Sequence, residues 1–187
     1  MDKKIYEDQY DFELNQRAYF ASAVNIPIVA ITILGSAIAS MGVGYIYGIN
    51  ASSIIFIMSL SLSTLSLAVS VFFIFNSLIG YVYKKLQPPS QLKRVYTELT
   101  EWHIENNGSD EGVNRDFENE LCERLGQAIE VNSKNNITRG NFLYAATVSL
   151  AVATIFLGLS GFLYVLNKVE NSSTPQKIEI IGKVETK

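Results

Sequence analysis

Residues 18–83 contain no Asp, Glu, Lys, Arg or His, and neither do residues 140–167. A helix in water keeps charged or polar residues on its outer face, so apolar runs of this length imply lipid as the solvent. At about 1.5 Å rise per residue the first run would extend roughly 100 Å as one helix, against a hydrocarbon core of about 30 Å, so it must turn. Gly48-Ile49-Asn50-Ala51-Ser52 is the turn-like cluster inside it and divides it into spans at 27–47 and 54–83. Residues 140–167 supply a third span. The pattern predicts an all-α membrane protein with three transmembrane helices and a small helical cytoplasmic segment between spans 2 and 3.

The polar stretches carry their own periodicity. Pro88-Pro89 should end the second helix, because proline lacks an N–H and disfavours helix in the residue before it. Leu92, Val95, Tyr96, Leu99 and Trp102 then recur at helical spacing, with Asn106-Asn107-Gly108 as the stop. A polar linker containing Ser109-Asp110-Glu111 reaches to about Asn114. Beyond it Phe117, Leu121, Leu125, Ala128 and Ile129 define a second amphipathic helix, and with no proline from Asn114 to Asn171 it should run through NSKNNITRG into the third span. Gly140 is its weakest position, at about 1 kcal/mol against Ala. Two such helices bury too little to stand alone, and Ile5, Tyr6, Tyr10 and Leu14 of the N-terminal segment offer a third face. The layout is an amphipathic segment at 1–21, a transmembrane hairpin at 22–83, a helical region at 84–139, the third span at 140–167 and a polar tail at 168–187.

Charge adds direction. Lys and Arg number three before the first span, none in the 48–52 turn, eight in 84–139 and four after Asn167. By the positive-inside rule the N-terminus and the 84–139 region are cytoplasmic, and alternation places the C-terminal tail on the far side. Tyr19, Phe20, Tyr81, Tyr83, Phe142 and Tyr144 would mark the inner interface, and Tyr45, Tyr47, Phe162 and Tyr164 the outer. The first 20 residues carry five acids against three bases, which argues against a cleaved signal peptide. A net charge of −3 gives no reason to expect nucleic-acid binding.

Association of helices in lipid lacks a hydrophobic drive, so small residues that admit close backbone approach point to packing. In the first span Thr32, Ser36, Ser40, Gly44 and Gly48 recur every four residues. In the second Ser52, Ser59, Ser63, Ser66, Ser70, Ser77 and Gly80 keep to one face, and in the third Thr147, Ala151, Thr154, Gly158 and Gly161 do the same. The row Ser59, Ser63, Ser66, Ser70, Ser77 has two readings. It lines a hydrated path in a homo-oligomer, or it packs one helix against another within a subunit. Ser36, Ser40, Gly44, Thr154 and Gly158 are read as helix packing.

Several function classes drop out. No ionisable residue lies within a span, which disfavours proton-coupled transporters, voltage sensors and pumps. Pro27 is expected to begin a fresh helix with Asn25 as its cap, and Asn76 is the other strongly polar residue in the spans. His103 and Cys122 are the single histidine and cysteine, so no zinc site or Cys-His pair is expected. Trp102 and His103 read as structural or interface residues. There is no phosphate-cradling glycine motif, and the 109–111 acids lack calcium-loop spacing. No catalytic residue, metal or cofactor is expected.

Two stretches, FELNQRAYFASAVNIPIVAITILGSAI and LCERLGQAIEVNSKNNITRGNFLYAATVSLAVA, resemble a group of small bacterial membrane proteins encoded beside anti-phage defence genes. Within the second, Asn132, Asn136 and Arg139 match an N-x3-N-x2-R pattern of that group, followed by the aromatic entry Phe142 and Tyr144. The resemblance covers about a third of the chain. It implies a multi-pass inner-membrane effector of the kind found in retron and cyclic-nucleotide systems, permeabilising or depolarising the membrane in abortive infection. Such an effector is a homo-oligomer in the lipid bilayer, held silent by a cytoplasmic sensor or regulatory partner from the same operon. Arg139 would then anchor lipid phosphate and the asparagines would bond across subunits; the alternative is an ordinary polar interfacial turn. The competing reading of the chain is a non-lytic scaffold that recruits a cytoplasmic partner through residues 90–139.

Overall fold

The computed structural model describes residues 3–106 and 108–172. Asn107, and residues 173–187 of the expected tail, lie outside the described residues. Five helices follow in order, α1 Lys3–Ala23, α2 Asn25–Gly44, α3 Ala51–Leu78, α4 Pro89–Glu105 and α5 Asp110–Ser172, and the described residues contain no strand. Three helical stretches, Lys3–Gly44, Ala51–Leu78 and Asp110–Ser172, are long and apolar enough to cross a membrane. The chain is an all-helical membrane protein.

Local chemistry sets the ends of the helices. Val24 interrupts α1 and α2, and its carbonyl accepts from the Ile28 N–H at 3.2 Å, so Val24 rather than Asn25 occupies the cap position while Pro27 sits in the first turn. Asn50 begins α3, where its Oδ1 accepts from the Ser53 N–H at 2.8 Å, satisfying one of the donors a helix start leaves open. Pro88 and Pro89 begin α4. Ser109 caps α5 by accepting from the Gly112 N–H at 3.2 Å. Asp110 and Glu111 fall in the first turn of α5, where carboxylates meet the positive end of the helix dipole. The 109–114 linker expected from polarity is therefore the start of α5.

The second span ends earlier than the proline pair suggested. α3 stops at Leu78, and residues 79–88 form a non-helical connector. Gly80 turns the chain there with φ +95°, a conformation that side chains with a Cβ disfavour. Downstream, α5 is unbroken through Gly140. An added Cβ at Gly140 would come within 3.2 Å of the Phe20 ring, so the glycine admits an aromatic side chain of α1.

The helices distribute over two compact units, Met1–Val29 with Ser70–Val148 (unit 1) and Ala30–Val69 with Ser149–Lys187 (unit 2). In unit 1, α3 and α5 run antiparallel, with Ser70 donating to the Ala146 carbonyl at 2.9 Å and Ser77 to the Arg139 carbonyl at 3.2 Å. Val24, Ile74, Val113, Leu121, Leu125 and Ala128 form its apolar interior. In unit 2 the same two helices pair through Ser63, which donates to the Ala153 carbonyl at 2.9 Å, and through Ser59 and Ser160, whose hydroxyls meet at 2.7 Å. Tyr45 stacks on Phe56 with ring centroids 3.8 Å apart, and Leu150 and Leu157 complete that core.

Gly80→Ala should cost about 1 kcal/mol in unfolding of the purified protein in detergent, because φ rather than space is limiting there. Gly158→Ala, in open surroundings within a helix, should be neutral or stabilising by up to about 1 kcal/mol in the same assay. An unchanged Gly80→Ala protein would remove the backbone argument for where α3 ends.

Candidate functional site

The expected small-residue row on α3 packs, whereas those on α2 and α5 come close to a neighbour only at Gly44 and Gly161. Ser59, Ser63, Ser70 and Ser77 are buried on α3, each with an α5 partner in its own unit. Ser66 is half-buried and Ser52 exposed. Ser53, one position on, is the buried residue, and its hydroxyl meets Tyr45 Oη at 3.4 Å. Gly80 lies beyond the helix. Within the chain this row is a packing face.

On α2, Thr32, Ser36 and Ser40 are exposed, with Ser36 donating to the Thr32 carbonyl at 2.8 Å. Of that row Gly44 does face a neighbour, since a Cβ added there would collide with Tyr164, and off the row a Cβ at Gly35 or Gly42 would meet Leu67 or Leu60. On α5, Thr147, Ala151, Thr154 and Gly158 are exposed and nothing lies near Gly158. The buried row is Ala146, Leu150, Ala153, Leu157 and Ser160. Small residues occupy more than one face of these helices, so size alone did not select the packed one.

The densest polar chemistry lies in unit 1, around the N-x3-N-x2-R residues. Asn132 is fully buried and grips the backbone of Lys84, accepting from its N–H at 2.8 Å and donating to its carbonyl at 3.0 Å. Asn135 donates to the Val82 carbonyl at 2.8 Å. Asn136 accepts from the Tyr83 hydroxyl at 2.5 Å and donates to the Glu13 carbonyl and carboxylate at 2.9 and 2.7 Å. The asparagines are thus engaged within the chain, with α1 and the 79–88 connector, where the sequence suggested bonds across subunits.

Arg139 is 5% exposed. Its Nε donates to the Ser77 carbonyl at 2.9 Å, at the last turn of α3, where a cation is favoured by the helix dipole. Its Nη1 donates to Tyr83 Oη at 2.9 Å and to the Arg17 carbonyl at 3.5 Å. The guanidinium also lies 5.8, 5.7 and 5.9 Å from the ring centres of Phe20, Tyr81 and Tyr83, within cation–π range. Arg17 covers the Tyr83 ring at 4.8 Å. Burial raises the Tyr81 phenol above its ordinary value, opposed by the Arg139 charge, so it is a neutral hydroxyl at pH 7, donating to the Asn76 carbonyl at 2.9 Å.

A second polar pair joins α4 to the charged part of α5, outside the apolar 140–167 stretch. His103 is buried, and its Nε2 lies 3.0 Å from Asp116 Oδ2. Its ring fills the space beside Gly108 and Gly112, where any Cβ would collide with it. The hydrogen bond from His103 holds the Asp116 carboxyl below its usual range, with Arg115 adding to the effect. Among the described residues no cluster of His, Cys, Asp and Glu could hold a metal ion.

No known protein family, curated protein or solved structure matches the chain.

Asn132→Leu removes both bonds to Lys84 and should cost about 1–3 kcal/mol in unfolding experiments, and Asn132→Asp, which sets a buried carboxylate against the Lys84 carbonyl, should cost at least as much. Asp116 supplies the pH dependence. Its folded value is lowered, so its contribution is present above the unfolded carboxyl value and is lost as pH falls through the folded one. Stability should therefore drop on acidification below about 3.8, and Asp116→Asn should flatten that acid limb. An identical acid profile in the variant would show that the pair carries no linkage.

Proposed function

We propose that the chain is a non-lytic membrane scaffold that presents its α4 and α5 helices to a cytoplasmic partner. The observation carrying this reading is the exposed end of α4, where Trp102 is 55% and Ile104 72% exposed. These large apolar side chains stand exposed in a charged segment, and Trp is prominent among the residues that dominate protein interfaces. Trp102 is held edge-on against the buried His103 ring at 4.9 Å, so it is presented on a fixed base. The lysine and arginine bias favours an orientation with this region on the cytoplasmic side.

A membrane-permeabilising effector of abortive defence is the second reading. Its support has moved from the α3 serines, which are spent on α5, to the exposed ladders Thr32-Ser36-Ser40 and Thr147-Ala151-Thr154-Gly158, which suit close contact with a second copy.

Expression in bacteria with a potential-sensitive dye separates the two. A scaffold leaves the potential unchanged. Ser63→Leu and Ser70→Leu then act only by overpacking against Ala153 and Ala146, at about 1–3 kcal/mol each. Photo-crosslinking from position 102 should trap a discrete partner, lost in Ile104→Asp while the chain still inserts. Depolarisation that disappears when Ser36 and Gly158 are replaced by Leu would instead establish the effector.

A further inference from the structure

Unit 1 holds an open groove of about 550 Å³ whose lining mixes cations with apolar side chains. Arg17, Lys85 and Arg139 line it with the Tyr81 and Tyr83 rings, together with Leu14, Ala18, Ala21 and Leu78. Leu78 is the last residue of α3, so the groove lies where an apolar span gives way to polar chain.

Among the described residues none of the three cations forms an ion pair, although Lys3, Arg94, Arg115 and Arg124 all do. The carboxylate in the neighbouring network, Glu13, is occupied by Asn136 at 2.7 Å and by the Gln9 amide at 3.0 Å. Arg139 uses Nε and Nη1 on protein oxygens, and among the described residues Nη2 has no acceptor. A guanidinium fixed at two positions and free at the third is pre-organised to donate to an oxyanion. Arg17 and Lys85 are exposed and stand at the rim of the groove.

The geometry points to a binding site for a phosphate-bearing amphiphile, an anionic phospholipid whose phosphate sits among Arg17, Lys85 and Arg139 while its acyl chain lies along Ala18, Ala21 and Leu78. Positive charge in the lining selects the phosphate, and the apolar side chains of the same groove select a ligand that also carries a hydrocarbon part. The site requires no partner protein and stands apart from the scaffold reading.

The test uses the full chain purified in detergent, with lipid retention followed by native mass spectrometry and unfolding temperature. The probes are phosphatidylglycerol, phosphatidylcholine of the same acyl composition, and inorganic phosphate. Phosphatidylglycerol should bind more tightly than phosphatidylcholine and raise the unfolding temperature. Arg17→Gln and Lys85→Gln should each weaken it about fivefold, and the pair roughly 25-fold, as expected for removal of single cations at a membrane surface. Lys93→Gln, an exposed cation elsewhere, should change nothing. Both key variants lie on exposed side chains, and an unaltered unfolding temperature without lipid establishes that they fold. Equal binding of the two lipids, or a phosphatidylglycerol preference that survives the double variant, overturns the site. Binding of inorganic phosphate that the double variant abolishes, with no preference between lipids, overturns the amphiphile in favour of a free anion.

Discussion

Hydrocarbon cannot hydrogen-bond, so every polar group placed in it must find a partner within the protein. α5 meets this constraint with one row of residues at seven-residue spacing. In unit 1 the row is Asn132, Arg139 and Ala146, and in unit 2 it is Ala153, Ser160 and Asn167, all of them buried. α3 answers with Ser63, Ser70 and Ser77, whose hydroxyls bond to the carbonyls of Ala153, Ala146 and Arg139. Steps of seven on one helix meet steps of seven in reverse on the other, which is the register of antiparallel helices packed along a 3.5-residue repeat. Alanine on one side and serine on the other bring the backbones close enough for those bonds to form. Each contributes about 0.6 kcal/mol by the average for such contacts in membranes, so their value lies as much in fixing register as in stability.

The same constraint governs the two places where the chain leaves a helix near an apolar span. After α2, Asn167 accepts from the Ile46 N–H and donates to the Ile46 carbonyl, both at 3.0 Å. After α3, Asn132 treats Lys84 identically. A carboxamide carries one acceptor and a donor in the same geometry as a peptide group, so it replaces both ladder partners that a non-helical residue has lost. The identity of these residues follows from that requirement. Alanine offers neither group, and serine presents donor and acceptor on a single atom, whereas the carboxamide spaces them as a peptide group does.

Much of the architecture was legible because solvent dictates it. Charge-free length gave the three spans and the absence of proline the continuous α5; the Gly48–Ser52 cluster marked the turn only in part, because the chain leaves the helix after Gly44 and Ala51 already begins α3. The end of α3 was misread because Tyr81, Val82 and Tyr83 are apolar enough to extend a span, while the determinant is the Gly80 backbone together with Asn132, Asn135 and Asn136 waiting 48 to 53 residues away. The serine row was visible on α3 because that helix has a single serine-rich face. On α2 and α5, small residues occur all round, and nothing in periodicity separates a ladder that meets a neighbour from one that meets lipid. Asn132, Asn136 and Arg139 were recognisable as sharing a face, but Glu13, Tyr83 and Lys84, which complete the cluster, had no local signal. Their roles arise from tertiary pairing, where hydroxyl, carboxylate and backbone groups are equally suitable partners.

The position of Arg139 shows why a buried cation is tolerable at the end of a span and not in its middle. Its charge is shared among the terminal carbonyl of a helix, a phenol oxygen and three aromatic faces, all partial negative charges, none a full one. Dipoles of this kind compensate a cation without neutralising it. Had a carboxylate stood beside it, the pair would be self-contained and the groove would carry one positive charge fewer. Because Glu13 is instead tied to Asn136, net positive charge persists at the boundary between apolar and polar chain. That imbalance is a product of how the asparagines were used, and it makes the structural clasp on the connector and the electrostatics of the groove two consequences of one arrangement.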